Sequence, residues 1–149
     1  MKLSILDQSV AIADKCQDQV INDTLNLSTI AEELGYSRFW ISEHHNHPTI
    51  IGTAPEILMA AIAAKTNKIR IGSAGIMLPH YSPFKVAEQF RVLNSLAPNR
   101  IDLGLGRAPG SDGRTALALN SNNREFSENF PSHVRDLICL LYTSPSPRD

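Results

Sequence analysis

Cysteine is scarce in this 149-residue chain: Cys16 and Cys139 lie far apart and in no metal-type spacing. That excludes a small disulfide scaffold and makes a reduced, cytoplasmic setting the expectation. Neither sign of charge is in excess, since 14 Lys and Arg stand against 15 Asp and Glu, a formal net charge of -1. The basic footprint of a nucleic-acid binder is therefore missing, and nothing draws the chain to an anionic membrane surface. No run approaches the roughly 18 to 20 apolar residues of a membrane span. The opening MKLSILDQSV turns polar at Asp7, too soon for a secretory leader. What remains is an ordinary globular balance, 42% hydrophobic and 19% charged, at a length that predicts one domain of common size.

Two textures alternate along the chain. Short runs rich in Ile, Leu, Phe and Trp predict strands at Leu3–Leu6, Arg38–Ser42, Ile69–Gly72 with Ile76 beyond, and Ile101–Leu105. Helical periodicity fills the intervals. It predicts Leu25–Leu34, capped by Asp23 or Thr24 and stopped by Gly35, then Pro55–Ala64, Pro83–Leu96 and Ser132–Leu141. Residues 141–149, with two Ser-Pro steps, break the pattern and read as a tail apart from a folded unit of residues 1–140. Strand starts at Leu3, Arg38, Ile69 and Ile101 are 35, 31 and 32 residues apart. Strand–helix alternation argues for parallel strands with right-handed crossovers. An open doubly wound sheet fits this α/β pattern. So does a section of a (β/α)8 barrel, whose about 250 residues give roughly 31 per unit.

The connections differ by direction. Helix-to-strand links such as Gly35-Tyr36-Ser37 and Thr66-Asn67-Lys68 are short and plain. Strand-to-helix links hold the unusual residues: Asp7-Gln8-Ser9, Glu43-His44-His45-Asn46-His47, Leu78-Pro79-His80-Tyr81-Ser82 and Arg107-Ala108-Pro109-Gly110-Ser111-Asp112. Parallel α/β folds bind ligands at the carboxyl ends of their strands, so function is expected there. Histidine suits proton transfer, and adjacent residues at a strand end point to opposite sides, so only one of His44 and His45 need face a site. The bland reading is a polar loop; a zinc reading with His44, His45 and His47 lacks a common ligand spacing. Ser73-Ala74-Gly75 ends a strand in small residues, which suits either a flat ligand on the backbone or tight packing. Arg107 offers a permanent charge and a planar fork suited to phosphate, or an ion pair with Asp102 or Asp112. Neither a phosphate-binding P-loop nor a dinucleotide fingerprint is present.

Five segments in order resemble the N-terminal half of the bacterial luciferase-like flavin-dependent monooxygenases. They are Leu3–Ser9, Trp40–His45, Gly72–Pro79, Lys85–Gln89 and Arg100–Arg107. The resemblance implies a (β/α)8 TIM-type barrel, present as about four strand–helix units. It implies binding of reduced FMN and oxygenation of a small organic substrate by molecular oxygen. By that resemblance Arg107 contacts the flavin phosphate, and His44, with His45 as second candidate, handles protons beside the ring. Ser73, Ala74 and Gly75 lie against the ring, with a cis peptide between Ala74 and Gly75. Gly75 stands where the family more often has alanine. Gly106 stands at the place of a reactive family cysteine, so no thiol role is expected. A deazaflavin enzyme transferring hydride, or a non-catalytic flavin binder, are the alternatives. The partners implied are a separate flavin reductase and, for the full-length parent, a second copy in a homodimer. The chain by itself is expected to bind FMN poorly and to be inactive.

Overall fold

The computed structural model describes residues 1–12 and 15–143. Its strands are β1 (Ser4–Asp7), β2 (Arg38–Ile41), β3 (Arg70–Ser73), β4 (Ile76–Met77), β5 (Ile101–Asp102) and β6 (Leu105–Gly106). Its helices are α1 (Gln17–Glu33), α2 (Pro55–Lys65), α3 (Pro83–Leu96), α4 (Gly113–Leu119), α5 (Asn123–Glu128) and α6 (Phe130–Thr143). A single 3-10 turn, Leu78–His80, leads into α3. Strands β1, β2, β3 and β5 form a parallel sheet in that order, and β4 pairs in parallel with β6 just beyond its carboxyl edge.

The order of the sheet decides between the two architectures. Strands follow one another without reversal, and α1, α2 and α3 pack side by side, on one face. A doubly wound sheet reverses its strand order and carries helices on both faces. Sequential strands with a single helical layer are the winding of a (β/α)8 barrel, of which four strands are present here.

The register explains which side chains go where. Ile5, Phe39, Ile71 and Ile101 lie across from one another in one row, facing the helices. Phe39, Ile41 and Ile71 are fully buried there against Met59 and Ile62 of α2 and Val86 and Phe90 of α3. Each such side chain contributes about 1.5–3 kcal/mol on burial. The alternate rows face the inside of the curve. Leu6, Trp40, Gly72 and Asp102 form one such row, and Gly72 is needed because a Cβ there would lie 2.7 Å from the Trp40 indole. Asp102 takes Arg38 Nε at 3.1 Å and pairs with Arg70 within this inward face. Burial pushes the Asp102 carboxyl up, but Arg70 and Arg38 overcome this and hold it below its ordinary value.

Several expected boundaries moved. Helix α1 begins at Gln17, eight residues before the expected start, with Gln19 Oε1 accepting the Cys16 N–H at 3.1 Å. Asp23 and Thr24 therefore lie inside the helix and do not cap it. Gly35 does end it: its φ is +78°, and the Gly35 and Tyr36 N–H groups donate to Glu32 and Ala31 carbonyls. The fourth predicted strand divides into β5 and β6. Gly104 N–H donates to Ser73 Oγ (3.1 Å), and Ser73 Oγ–H donates to Gly104 O (2.9 Å), interrupting the ladder at that level. Helix α6 runs from Phe130 to Thr143, two residues past the expected end at Leu141; residues 144–149 lie outside the described residues.

Candidate functional site

The loops leaving the carboxyl ends of the strands are tied to one another. After β1, Asp7 Oδ2 accepts Thr24 Oγ1–H at 2.7 Å and the Ser9 N–H at 3.3 Å. Ser9, at φ +51°, places its carbonyl to accept the Ile51 N–H at 2.9 Å, and Ala11 N–H donates to Thr49 O at 2.6 Å. The segment after β1 is thereby fixed to the segment after β2. That second segment is fixed in turn to the loop after β6. His45 N–H donates to Gly110 O at 2.9 Å, and Asn46 Nδ2–H donates to Thr115 Oγ1 at 3.1 Å and Asp112 Oδ2 at 3.3 Å.

Strand β2 ends at Ile41, and the four residues beyond it divide into two pairs, Ser42 with His44 and Glu43 with His45. The side-chain contacts agree with this division. His44 is half-buried, with Nδ1 3.3 Å from Ser42 Oγ and Nε2 without a partner among the described residues. His45 places Nε2 2.7 Å from Glu43 Oε1. Glu43 is fully buried, and its Oε1 also accepts the Tyr81 hydroxyl at 2.5 Å while Oε2 accepts the Met77 N–H at 2.8 Å. Burial, and then the hydrogen bond to Glu43, push the Tyr81 hydroxyl well above its ordinary pKa. Glu56, in the first turn of α2, is likewise pushed up by burial and then by the charge of Glu43. His47 is exposed, and its Nδ1 accepts the Thr49 N–H at 3.3 Å. The three histidines thus engage three different partners.

The other expected positions are placed as follows. The Ala74–Gly75 peptide is cis. Ser73 is fully buried on the helix side, and its hydroxyl is occupied by Gly104, so it offers a ligand only its backbone. Glycine at 75 answers to packing: a Cβ would come within 2.8 Å of the Leu105 carbonyl carbon. Ala74 remains half-buried beside it. Arg107 is exposed at the start of the loop after β6, and its Nε–H donates to Ser127 O at 3.0 Å. That contact directs the guanidinium plane and leaves its terminal nitrogens unengaged among the described residues. A permanent cation, an imidazole nitrogen and the Ala74–Gly75 backbone thus stand in segments at the carboxyl ends of the strands.

Sequence reasoning placed Glu43, His80 and Tyr81 in the strand-to-helix links but gave them no role. His80 is buried, donates from Nε2 to Pro109 O at 2.6 Å, and meets the His45 ring edge-on at a centroid distance of 5.7 Å. The available signal was a carboxylate directly after an apolar strand, where a charge is costly unless donors surround it. A concavity of about 1400 Å³ lies elsewhere, between the inward face of the sheet and α6, and neither His44 nor His45 nor Arg107 lines it. Half of a curved sheet leaves such a hollow whatever its chemistry, so the donor set rather than the hollow marks the site.

Fold and site together define a barrel-type α/β protein with its candidate site residues at the carboxyl ends of parallel strands. The model of the luciferase-like monooxygenase family matches residues 1–128, and the chain belongs to that family. It is 46% identical over 137 residues to an N-acetyl-S-alkylcysteine monooxygenase of Bacillus subtilis, covering 92% of this chain and 41% of that protein. It is similar to the crystal structure of apo-MsnO8, with a TM-score of 0.91 and 39% identity, over 98% of this chain and 44% of the other. The chain thus spans less than half the length of the relatives it matches. Two more distant structures share the fold. One is the oxygenating constituent of 3,6-diketocamphane monooxygenase of Pseudomonas putida in complex with FMN, at TM-score 0.77 and 22% identity over 95% of this chain and 38% of that one. The other is an F420-dependent secondary alcohol dehydrogenase, at TM-score 0.73 and 16% identity over 98% of this chain and 43% of that one.

Proposed function

We propose that this chain forms the flavin-holding side of an FMN-dependent monooxygenase that oxygenates a small organic substrate. The observation that carries the reading is His44. It stands just beyond the carboxyl end of β2, half-buried, with one imidazole nitrogen unengaged among the described residues. Reduced FMN, when bound, supplies the electrons that activate molecular oxygen. The chain's residues bind, orient and exchange protons. Arg107 pairs with the phosphate as a charge-assisted donor, and its anchor on Ser127 O sets the direction of that pairing. The Ala74–Gly75 edge gives the ring a flat support. His44 Nε2 takes or returns the proton, while Ser42 Oγ steadies Nδ1. His45, turned onto Glu43, is outside this exchange. Four strands of an eight-stranded barrel give only part of the wall around such a ligand, which sets this chain's own affinity below that of a closed barrel.

The test is an FMN titration of the full-length parent, followed by flavin fluorescence. Arg107→Ala weakens binding by roughly tenfold or more, as expected for loss of a charge-assisted pair; unchanged affinity would remove the phosphate role. His44→Ala leaves FMN affinity intact and abolishes turnover measured as oxygen consumption; normal turnover would remove His44 from proton transfer. Turnover without oxygen consumption would favour hydride transfer with a deazaflavin.

A further inference from the structure

Glu43 is a fully buried carboxylate that the proposed chemistry does not use. It gathers three donors from three separate pieces of chain. Met77 N–H comes from β4, Tyr81 O–H from the segment after the 3-10 turn, and His45 Nε2–H from the segment after β2. Two neighbours of this cluster reach the same loop. His45 N–H donates to Gly110 O, and His80 Nε2–H donates to Pro109 O. Gly110 itself, at φ +60°, sits so close that a Cβ would lie 3.0 Å from Glu43 O. The loop resting on the cluster is the one that begins at Arg107. A buried ionic group is poor value for stability alone, because apolar packing of the same volume serves as well or better. Its donors also fix a tautomer: a carboxylate only accepts, so His45 holds its proton on Nε2.

We infer that Glu43 is a positioning residue, which through His45 sets the place of the loop carrying Arg107 and so couples the end of β2 to the phosphate anchor. This rests on the phosphate role proposed for Arg107, and the test separates the two.

The experiment is a double-mutant cycle on the full chain, with FMN titrated into wild type, Glu43→Gln, Arg107→Ala and the double variant. Glu43→Gln keeps the shape but must donate where the carboxylate accepts, so at least one of the three bonds is lost. We expect it to weaken FMN binding by about tenfold, and to add less than about twofold once Arg107 is gone. Effects that multiply in the double variant would overturn the coupling, since a general loss of structure acts regardless of Arg107. The imidazole 15N shifts of His45 provide a second reading: proton on Nε2 in the wild type, mixed tautomers in Glu43→Gln. A tautomer unmoved by Glu43→Gln overturns the proposal. Should Glu43→Gln not fold, Tyr81→Phe removes one donor and enters the cycle and the 15N measurement in its place. If Arg107→Ala leaves FMN affinity unchanged, the phosphate reading fails alone. Amide exchange of residues 107–112 then decides: faster in Glu43→Gln and Tyr81→Phe with α3 unchanged supports the positioning role, and equal rates overturn it.

Discussion

Glu32 stands in the last turn of α1, where the helix dipole disfavours an acid. Its carboxylate is nevertheless satisfied, because Asn67, Lys68 and Ile69 all direct backbone N–H groups at it, at 2.6–3.0 Å. Burial pushes this carboxyl up, and the three amide bonds and Arg100 hold it below its ordinary value. Glu32→Ala leaves the Ile69 amide in a partly buried position without its acceptor, and should cost about 1–3 kcal/mol, read as a lower urea midpoint. An unchanged midpoint would show that water replaces the carboxylate fully. Nothing in the sequence distinguished Glu32 from Glu33, since both are ordinary helix residues and the three amides belong to another unit. The two histidines were half legible. Strand alternation implied that one faced inward, but which one depended on where the strand's side assignment began. The structure sets the two apart by partner instead, His44 beside Ser42 and His45 beside Glu43.

Among the elements, those with an apolar stripe and a Pro or Gly boundary were legible: α2 and α3 begin at Pro55 and Pro83, and Gly35 follows α1. The first two turns of α1 were not. Thr24 occupies a core-facing position there, and only its bonds to Asp7 and Ser9 make a buried hydroxyl tolerable. Helices α4 and α5 were missed because they are short, at seven and six residues, and α5 is largely polar. What starts α4 is Asp112, which accepts the Arg114 and Thr115 N–H groups; bonds from Thr115 and Asn46 push its carboxyl down to about 2. The break between β5 and β6 gives a sharper test at this scale. A Cβ on Gly104 would lie 2.2 Å from Ser73 O, which no rotamer change can relieve. Gly104→Ala must separate β3 from β5, and a loss of roughly 3 kcal/mol or more is expected in thermal unfolding. Gly113→Ala, with nothing within 4 Å of the new methyl, should be neutral or slightly stabilising. Equal effects of the two would contradict the close approach of the strands.

For the whole molecule, the 35, 31 and 32 residue spacing made the repeated unit legible, while the choice of winding required the strand order. Acid stability follows from the same layout. Asp102 and Glu32 titrate below their ordinary values in the folded chain, so the stability they give is complete above the ordinary carboxylate pKa of about 4. It is lost as pH falls through their lower folded values. Glu56 has the opposite sign: its raised pKa means that it withdraws a little stability as pH rises past the ordinary value. The expected urea midpoint is nearly level from pH 8 to about 5 and falls below about 4, with a shallower fall in Asp102→Asn. An equally steep fall in that variant would remove Asp102 from the account. Glu32 and Arg100, which donates to Thr66 Oγ1, Ile69 O and Ala63 O, act at the amino ends of the strands, while the histidines and Arg107 stand at the carboxyl ends. The molecule therefore has a natural up and down for surface chemistry. Lys68 is exposed at the amino-end loop, and a chain tethered to an electrode or resin through its ammonium stands with its histidines toward the bulk liquid.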